Sequence, residues 1–123
     1  MDRRTAKELL HIEAWLVRAE QIVQQGESAY LENGLLQEAG DSLMMKLGEA
    51  AKRISSMKAP PPSSVEWEVA VANRNFLIHQ YDESNRAVTW MTLSDDLPAW
   101  HTLLQPSFEK ARTVLTADSD ESD

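Results

Sequence analysis

Apolar residues recur along the start of the chain at helical spacing. Leu9, Ile12, Leu16, Ala19 and Val23 follow one another at intervals of 3, 4, 3 and 4. This places them on one face of an amphipathic helix from about Thr5 to Gln25. Gly26 stands just past its last turn, where a glycine commonly ends a helix. Residues 27–34 read as a connector with room for one helical turn. A second stripe, Leu36, Ala39, Leu43, Leu47, Ala50, Ile54 and Met57, predicts a helix over residues 35–57. Gly40 and Gly48 fall inside it, at a cost of up to ~1 kcal/mol each relative to Ala. The stretch Gly48-Glu49-Ala50-Ala51 is nearly free of side chains and would let another helix approach closely. Met44 and Met45 read as fillers of a core or an interface.

Lys58-Ala59-Pro60-Pro61-Pro62 interrupts the pattern, since three prolines favour an extended connector. Ser63 followed by Glu66 has the form of a capping box. Val65, Val69, Ala72 and Phe76 then run at 4, 3 and 4 along a third helix. Asp82-Glu83-Ser84-Asn85 is a polar interruption, and residues 86–91 predict a short helix containing Trp90. Ser94, Asp95 and Asp96 read as a cap with negative charge, Pro98 suits a first turn, and a final helix should follow. Leu97, Leu104, Phe108, Ala111 and Leu115 carry it to about Thr116, with Pro106 expected to kink or split it. No strand pattern, repeat or glycine-rich phosphate loop is present. The pattern predicts an all-α domain over residues 1–116 and an acidic, disordered tail over 117–123.

With 123 residues and 42% hydrophobic content, the chain is a single domain able to bury a core. The absence of cysteine removes disulfides, thiolate nucleophiles and cysteine-based metal sites. No apolar run reaches the ~20 residues of a membrane span, and no signal-like core follows Asp2-Arg3-Arg4. A soluble cytoplasmic protein without a membrane partner is expected. The net charge is −8, and four of the 20 acidic side chains lie in the last six residues, leaving −4 for residues 1–117. A protein gripping nucleic acid by its backbone usually shows a basic stripe. None is visible here, so a nucleic-acid site must be local, or the acidic surface serves a basic partner.

The densest chemistry lies at the end of the third helix, in Arg74-Asn75-Phe76-Leu77-Ile78-His79-Gln80-Tyr81. Arginine is a permanent planar cation that binds phosphate oxygens, and histidine moves protons near neutral pH. On a regular helix Arg74 and His79 are about 140° apart around the axis, whereas Asn75 and His79 share a face at i, i+4. Arg74 and His79 converge only if the helix unwinds near His79, or if a second copy meets the first across a two-fold axis. The plain alternative has Arg74 capping carbonyls near a helix end and His79 packed or exposed. His11, beside Trp15 one turn away, and His101 lack companions at metal spacing and read as packing or surface residues.

The segment Arg74–Tyr81 resembles the Arg-x4-His-x-Tyr motif of the HEPN superfamily, in its HepT-like toxin branch. Leu47-Gly48-Glu49-Ala50-Ala51-Lys52-Arg53-Ile54 is similar to that branch's "IGEAAK" helix, and Trp90 with Asp96-Leu97-Pro98 to its "W…DLP" ending. The resemblance spans about residues 36–104; residues 1–35 resemble the family only in being helical. It implies an antiparallel bundle of four to five helices, dimerising through the motif helices around a shared cleft. It further implies a ribonuclease toxin paired with a minimal nucleotidyltransferase (MNT) antitoxin. Arg74 and His79 would be the catalytic pair, Asn75 a supporting polar residue, and Tyr81 the tyrosine the antitoxin modifies with AMP. Asp82-Glu83-Ser84 departs from the glycine- or aromatic-containing turn of relatives and adds negative charge beside the motif.

Such a kit needs no metal and no cofactor. His79 would serve as general base or acid and Arg74 would stabilise charge on the phosphorane oxygens. Because the 2′-hydroxyl supplies the nucleophile, the expected substrate is RNA rather than DNA. A second reading is a non-catalytic dimeric module that holds a nucleotide or the nucleotidyltransferase partner. The acidic balance favours the second reading, and the intact Arg74/His79 pair the first.

Overall fold

A computed structural model describes residues 1–55 and 85–121. The predicted third helix and the motif it carries lie outside the described residues. Five α-helical segments follow in order: α1 (Arg3–Gln24), α2 (Glu27–Glu32), α3 (Gly34–Ser55), α4 (Asn85–Met91) and α5 (Leu97–Glu121), with a π-helical turn at Thr92–Asp96 between the last two. Among the described residues there is no strand, and the fold is all-α.

Local chemistry sets the ends of these helices. Helix α1 begins at Arg3 rather than at Thr5 because the Asp2 carboxylate accepts the Thr5 amide at 2.8 Å. That bond satisfies one of the amides that a helix start leaves open and, with the Thr5 hydroxyl, holds the Asp2 carboxyl below its ordinary pKa. At the other end Gly26 takes φ +95°, a backbone conformation open to glycine. Its amide donates to the Val23 carbonyl at 3.0 Å. The connector expected over 27–34 is the single short helix α2. Asn33 then caps α3, its Oδ1 accepting from the amides of Leu35 and Leu36 at 2.9 and 3.3 Å. Gln37 reaches back and donates to the carbonyls of Tyr30 and Leu31, both at 3.1 Å.

Among the described residues three long helices form the frame. Glu8 of α1 meets Arg53 of α3, while Glu13 and Glu20 of α1 meet Arg112 and His101 of α5. Low numbers pair with high ones in both cases, so α3 and α5 each run antiparallel to α1. The core between them holds Leu9, Ile12, Leu16, Ala19 and Ile22 of α1, Leu43, Met44, Leu47, Ala50, Ala51 and Ile54 of α3, and Leu97, Leu104, Phe108 and Ala111 of α5. The stripes read from the sequence are these faces with local shifts. Ile22 is buried where Val23 is expected, Met44 enters the core while Met45 stays exposed, and Ala39 faces solvent.

The expected cap at Ser94–Asp96 is not what the structure forms. Helix α4 passes through the π turn into α5 without a break, Leu97 keeps helical angles (φ −68°, ψ −40°), and its amide donates to the Thr92 carbonyl five residues back. Two demands explain this. Leu93 and Leu97 both belong to the core, so the chain cannot leave the bundle between them. Pro98 also has no amide and would press on the carbonyl of Ser94 in a regular helix, and a wider turn relieves that crowding. Pro106 does not split α5, which runs across it to Glu121. Pro106 and Thr102, the residue whose carbonyl it has no amide to bond, are both exposed.

Candidate functional site

Arg74, Asn75, His79 and Tyr81 all lie outside the described residues, so the candidate site is framed by the elements on either side of it. Helix α3 leads into the segment and α4 receives the chain four residues after Tyr81. The stretch Gly48-Glu49-Ala50-Ala51, close to that lead-in, is built for close packing: Ala50 and Ala51 are fully buried, Gly48 is buried, and Glu49 is exposed.

On the far side, the chain is fastened as soon as α4 begins. Arg86 extends one guanidinium nitrogen to Asp41 Oδ2 of α3 at 2.6 Å, with the arginine side chain 17% and the carboxylate 8% exposed. Around this pair stand three further buried groups. Tyr30 has no exposed surface and lies 5.4 Å, centroid to centroid, from Trp90. Thr89 is buried beside it. Gly40 leaves room for the tyrosine: a Cβ there would lie 3.5 Å from the Tyr30 hydroxyl and 3.2 Å from Leu93.

Burial pushes the Tyr30 hydroxyl above the usual phenol pKa, and the adjacent Arg86 opposes that rise. Although Arg86 and Thr89 are close enough to be felt electrostatically, the Tyr30 hydroxyl and Asp41 Oδ1 have no hydrogen-bond partner of good geometry among the described residues. Buried polar groups are normally paired, so this cluster holds α4 at a cost in unsatisfied atoms. Sequence reading did not single out Tyr30, Asp41 or Arg86. The two charges are 45 residues apart, and no local spacing joins them.

The other histidines behave as packing or surface residues. His11 is exposed with its ring 6.0 Å from that of Trp15. His101 places Nδ1 2.5 Å from Glu20 Oε1 and turns its ring edge-on to Phe108. Among the described residues no group of three His, Asp or Glu side chains is arranged to hold a metal. No described helix is long and apolar enough to cross a membrane.

Residues 12–106 match the family described as "Ribonuclease HepT-like". The match contains the Arg74–Tyr81 segment with both of its flanks, and it opens inside α1, upstream of the motif resemblance near Leu36. No curated protein and no solved structure matches the chain. A match over well more than half the sequence, carried on an all-α frame and enclosing all three motif segments, leads to one assignment: the chain belongs to the HepT-like ribonuclease family.

Proposed function

We propose that this protein is a metal-independent endoribonuclease toxin of a toxin–antitoxin pair. It acts as a homodimer whose cleft is shared between the two motif helices. A minimal nucleotidyltransferase antitoxin, the MNT partner, neutralises it by transferring AMP to Tyr81. The reading is supported by the family match across residues 12–106 together with the spacing of Arg74, Asn75, His79 and Tyr81 in the sequence.

In the proposed reaction His79 takes the proton of the ribose 2′-hydroxyl, whose oxygen then attacks the adjacent phosphorus. The 5′-oxygen leaves with the proton that the His79 imidazolium returns, and a 2′,3′-cyclic phosphate remains. Proton transfer of this kind contributes ~10²–10⁴-fold. Arg74 neutralises charge on the non-bridging oxygens as the phosphorane forms. Asn75, one helical turn from His79, orients the imidazole or bonds the phosphate. AMP on Tyr81 would set a negative group two residues from His79 and offer Arg74 a competing phosphate.

Purified wild-type protein should cleave total RNA in EDTA, and His79→Ala should not. Cleavage by both proteins, or by neither, removes the catalytic reading. Growth arrest on expression should be relieved by Arg74→Ala, and Tyr81→Phe should block AMP transfer by the partner.

A second reading rests on the net charge of −8: a non-catalytic dimeric module that binds a nucleotide or the nucleotidyltransferase through the same residues. Tight partner binding by a protein inert towards RNA would favour it.

A further inference from the structure

The C-terminal half of α1 and the N-terminal half of α3 leave a groove of about 390 Å³ between them. Its position follows from packing: Ile22 and Leu43 close the core beneath, while Leu36 is only partly covered and Ala39 is exposed. The walls carry Arg18, Gln21 and Gln25 from α1 and Lys46 from α3, and no carboxylate lines the groove. Arg18 and Lys46 are exposed. Neither forms an ion pair among the described residues, where Arg53, Arg86 and Arg112 each do. In a chain of net charge −8, two cations flanking a carboxylate-free groove make a local positive site. An apolar floor focuses its field outwards.

We propose that this groove is a nucleoside-phosphate site. Arg18 and Lys46 hold the phosphate, the Ile22–Leu43 floor receives the flat face of the base, and Gln21 and Gln25 bond its edge. The chemistry narrows the ligand. A bare phosphate would use the two cations and leave the apolar floor and both amides idle. The volume sits at the lower end of the ~300–1,000 Å³ typical of small-molecule pockets. Glutamine amides donate and accept alike, which suits the mixed edge of a nucleobase. Arginine in turn offers a planar fork to phosphate oxygens.

The groove on the other side of Lys46 is a poorer phosphate site. It carries Glu38, Asp41 and Glu49, and its arginine, Arg53, is already tied to Glu8. The ligand therefore lies on the α1 side of Lys46.

The nucleoside phosphate has two sources, a free nucleotide or one unit of an RNA strand held away from the scissile bond. Only the second rests on the ribonuclease reading above. The test titrates His79→Ala protein, which leaves RNA intact, with AMP by calorimetry and with a short labelled single-stranded oligoribonucleotide by anisotropy. Both titrations are repeated with Arg18→Glu and Lys46→Glu added. Both side chains are exposed, so the swapped protein should keep its circular dichroism spectrum and melting temperature; Arg18→Gln with Lys46→Gln serves as a milder variant if it does not. Loss of about tenfold in affinity for either probe is expected. For the strand, the salt slope should also fall by about 0.7, since the one phosphate that the two cations share is lost. Weakening of AMP alone assigns a nucleotide pocket, and weakening of the strand assigns a subsite for RNA. Unchanged binding of both probes by both variants overturns the proposal, even if wild-type protein cleaves RNA. Inactivity of the wild type towards RNA does not bear on the AMP result.

Discussion

Asp41 and Arg86 meet where α3 receives the first turn of α4, and the two partners are unequal in what they leave behind. Asp41→Ala removes the carboxylate that Arg86 meets, and breaking a mostly buried pair of this kind costs about 3 kcal/mol at the lower end of the usual range. Arg86 is 17% exposed, which places it near that lower end. Chemical denaturation should show this loss, and the double variant with Arg86→Met should recover part of it. Tyr30 tests the opposite sign. Its hydroxyl is buried without a partner of good geometry, and an unmade bond of that kind costs about 1–3 kcal/mol. Tyr30→Phe should therefore leave the melting temperature unchanged or raise it.

The pKa of Tyr30 gives the same residue a pH signature. Burial raises it in the folded protein, so the folded state favours the neutral phenol. The resulting stability is complete below the ordinary tyrosine pKa of about 10. It is lost as the pH climbs through the raised value. Wild-type protein should unfold more readily in that alkaline window, and Tyr30→Phe should flatten the dependence. Equal slopes for the two proteins in denaturant titrations across the window would contradict this account.

At the scale of elements, the π turn lets α4 and α5 keep one register while the chain between them carries an extra residue. A turn closed five residues back advances the chain by about 80° per residue against about 100° in an α-helix, so Thr92–Asp96 turns it about as far as one residue fewer would in a regular helix. Deletion of Ser94 should therefore restore a regular helix with α4 on the same face, and Arg86 should still reach Asp41. The deletion returns the crowding at Pro98, so it should lower stability on its own and be rescued by Pro98→Ala. In the deletion background, Asp41→Ala should cost about what it costs in the wild type. Non-additive losses in denaturant melts would show that the turn sets the pairing of α4.

Some of these elements are legible in the sequence and others are not. Period-3.6 faces reveal α1, α3 and α5, because burial of one face leaves its trace at every turn. Gly26 marks a helix end because few residues accept its φ. The π turn leaves no such trace, since Ser94-Asp95-Asp96-Leu97-Pro98 has every local mark of a helix start. Leu93 and Leu97, sharing one core, overrule those marks. Asp2 shows the reverse case: an ordinary capping residue, passed over because the apolar stripe begins only at Leu9.

At the scale of the whole molecule, the candidate chemistry is legible for a different reason. Arg74, His79 and Tyr81 carry a motif, whereas Asp41–Arg86 and the Arg18–Lys46 groove arise from contacts between distant helices that no local spacing encodes. The spacing of the motif also bears on what one chain can do. Arg74 and His79 sit about 140° apart on a regular helix, so a two-fold partner is the simplest way to supply both groups to one phosphate. Complementation separates that arrangement from a site built within one chain. Arg74→Ala and His79→Ala proteins should each be inert towards RNA. If each site takes its arginine from one subunit and its histidine from the other, mixing the two proteins under exchange makes about half the dimers mixed, each with one intact site. Cleavage should then return to roughly a quarter of the wild-type rate. A site built within one chain would give no recovery, because every chain in the mixture lacks one of the two groups. Light scattering on the same samples checks that dimers have formed and exchanged, so an inactive mixture of exchanged dimers would rule out the shared cleft.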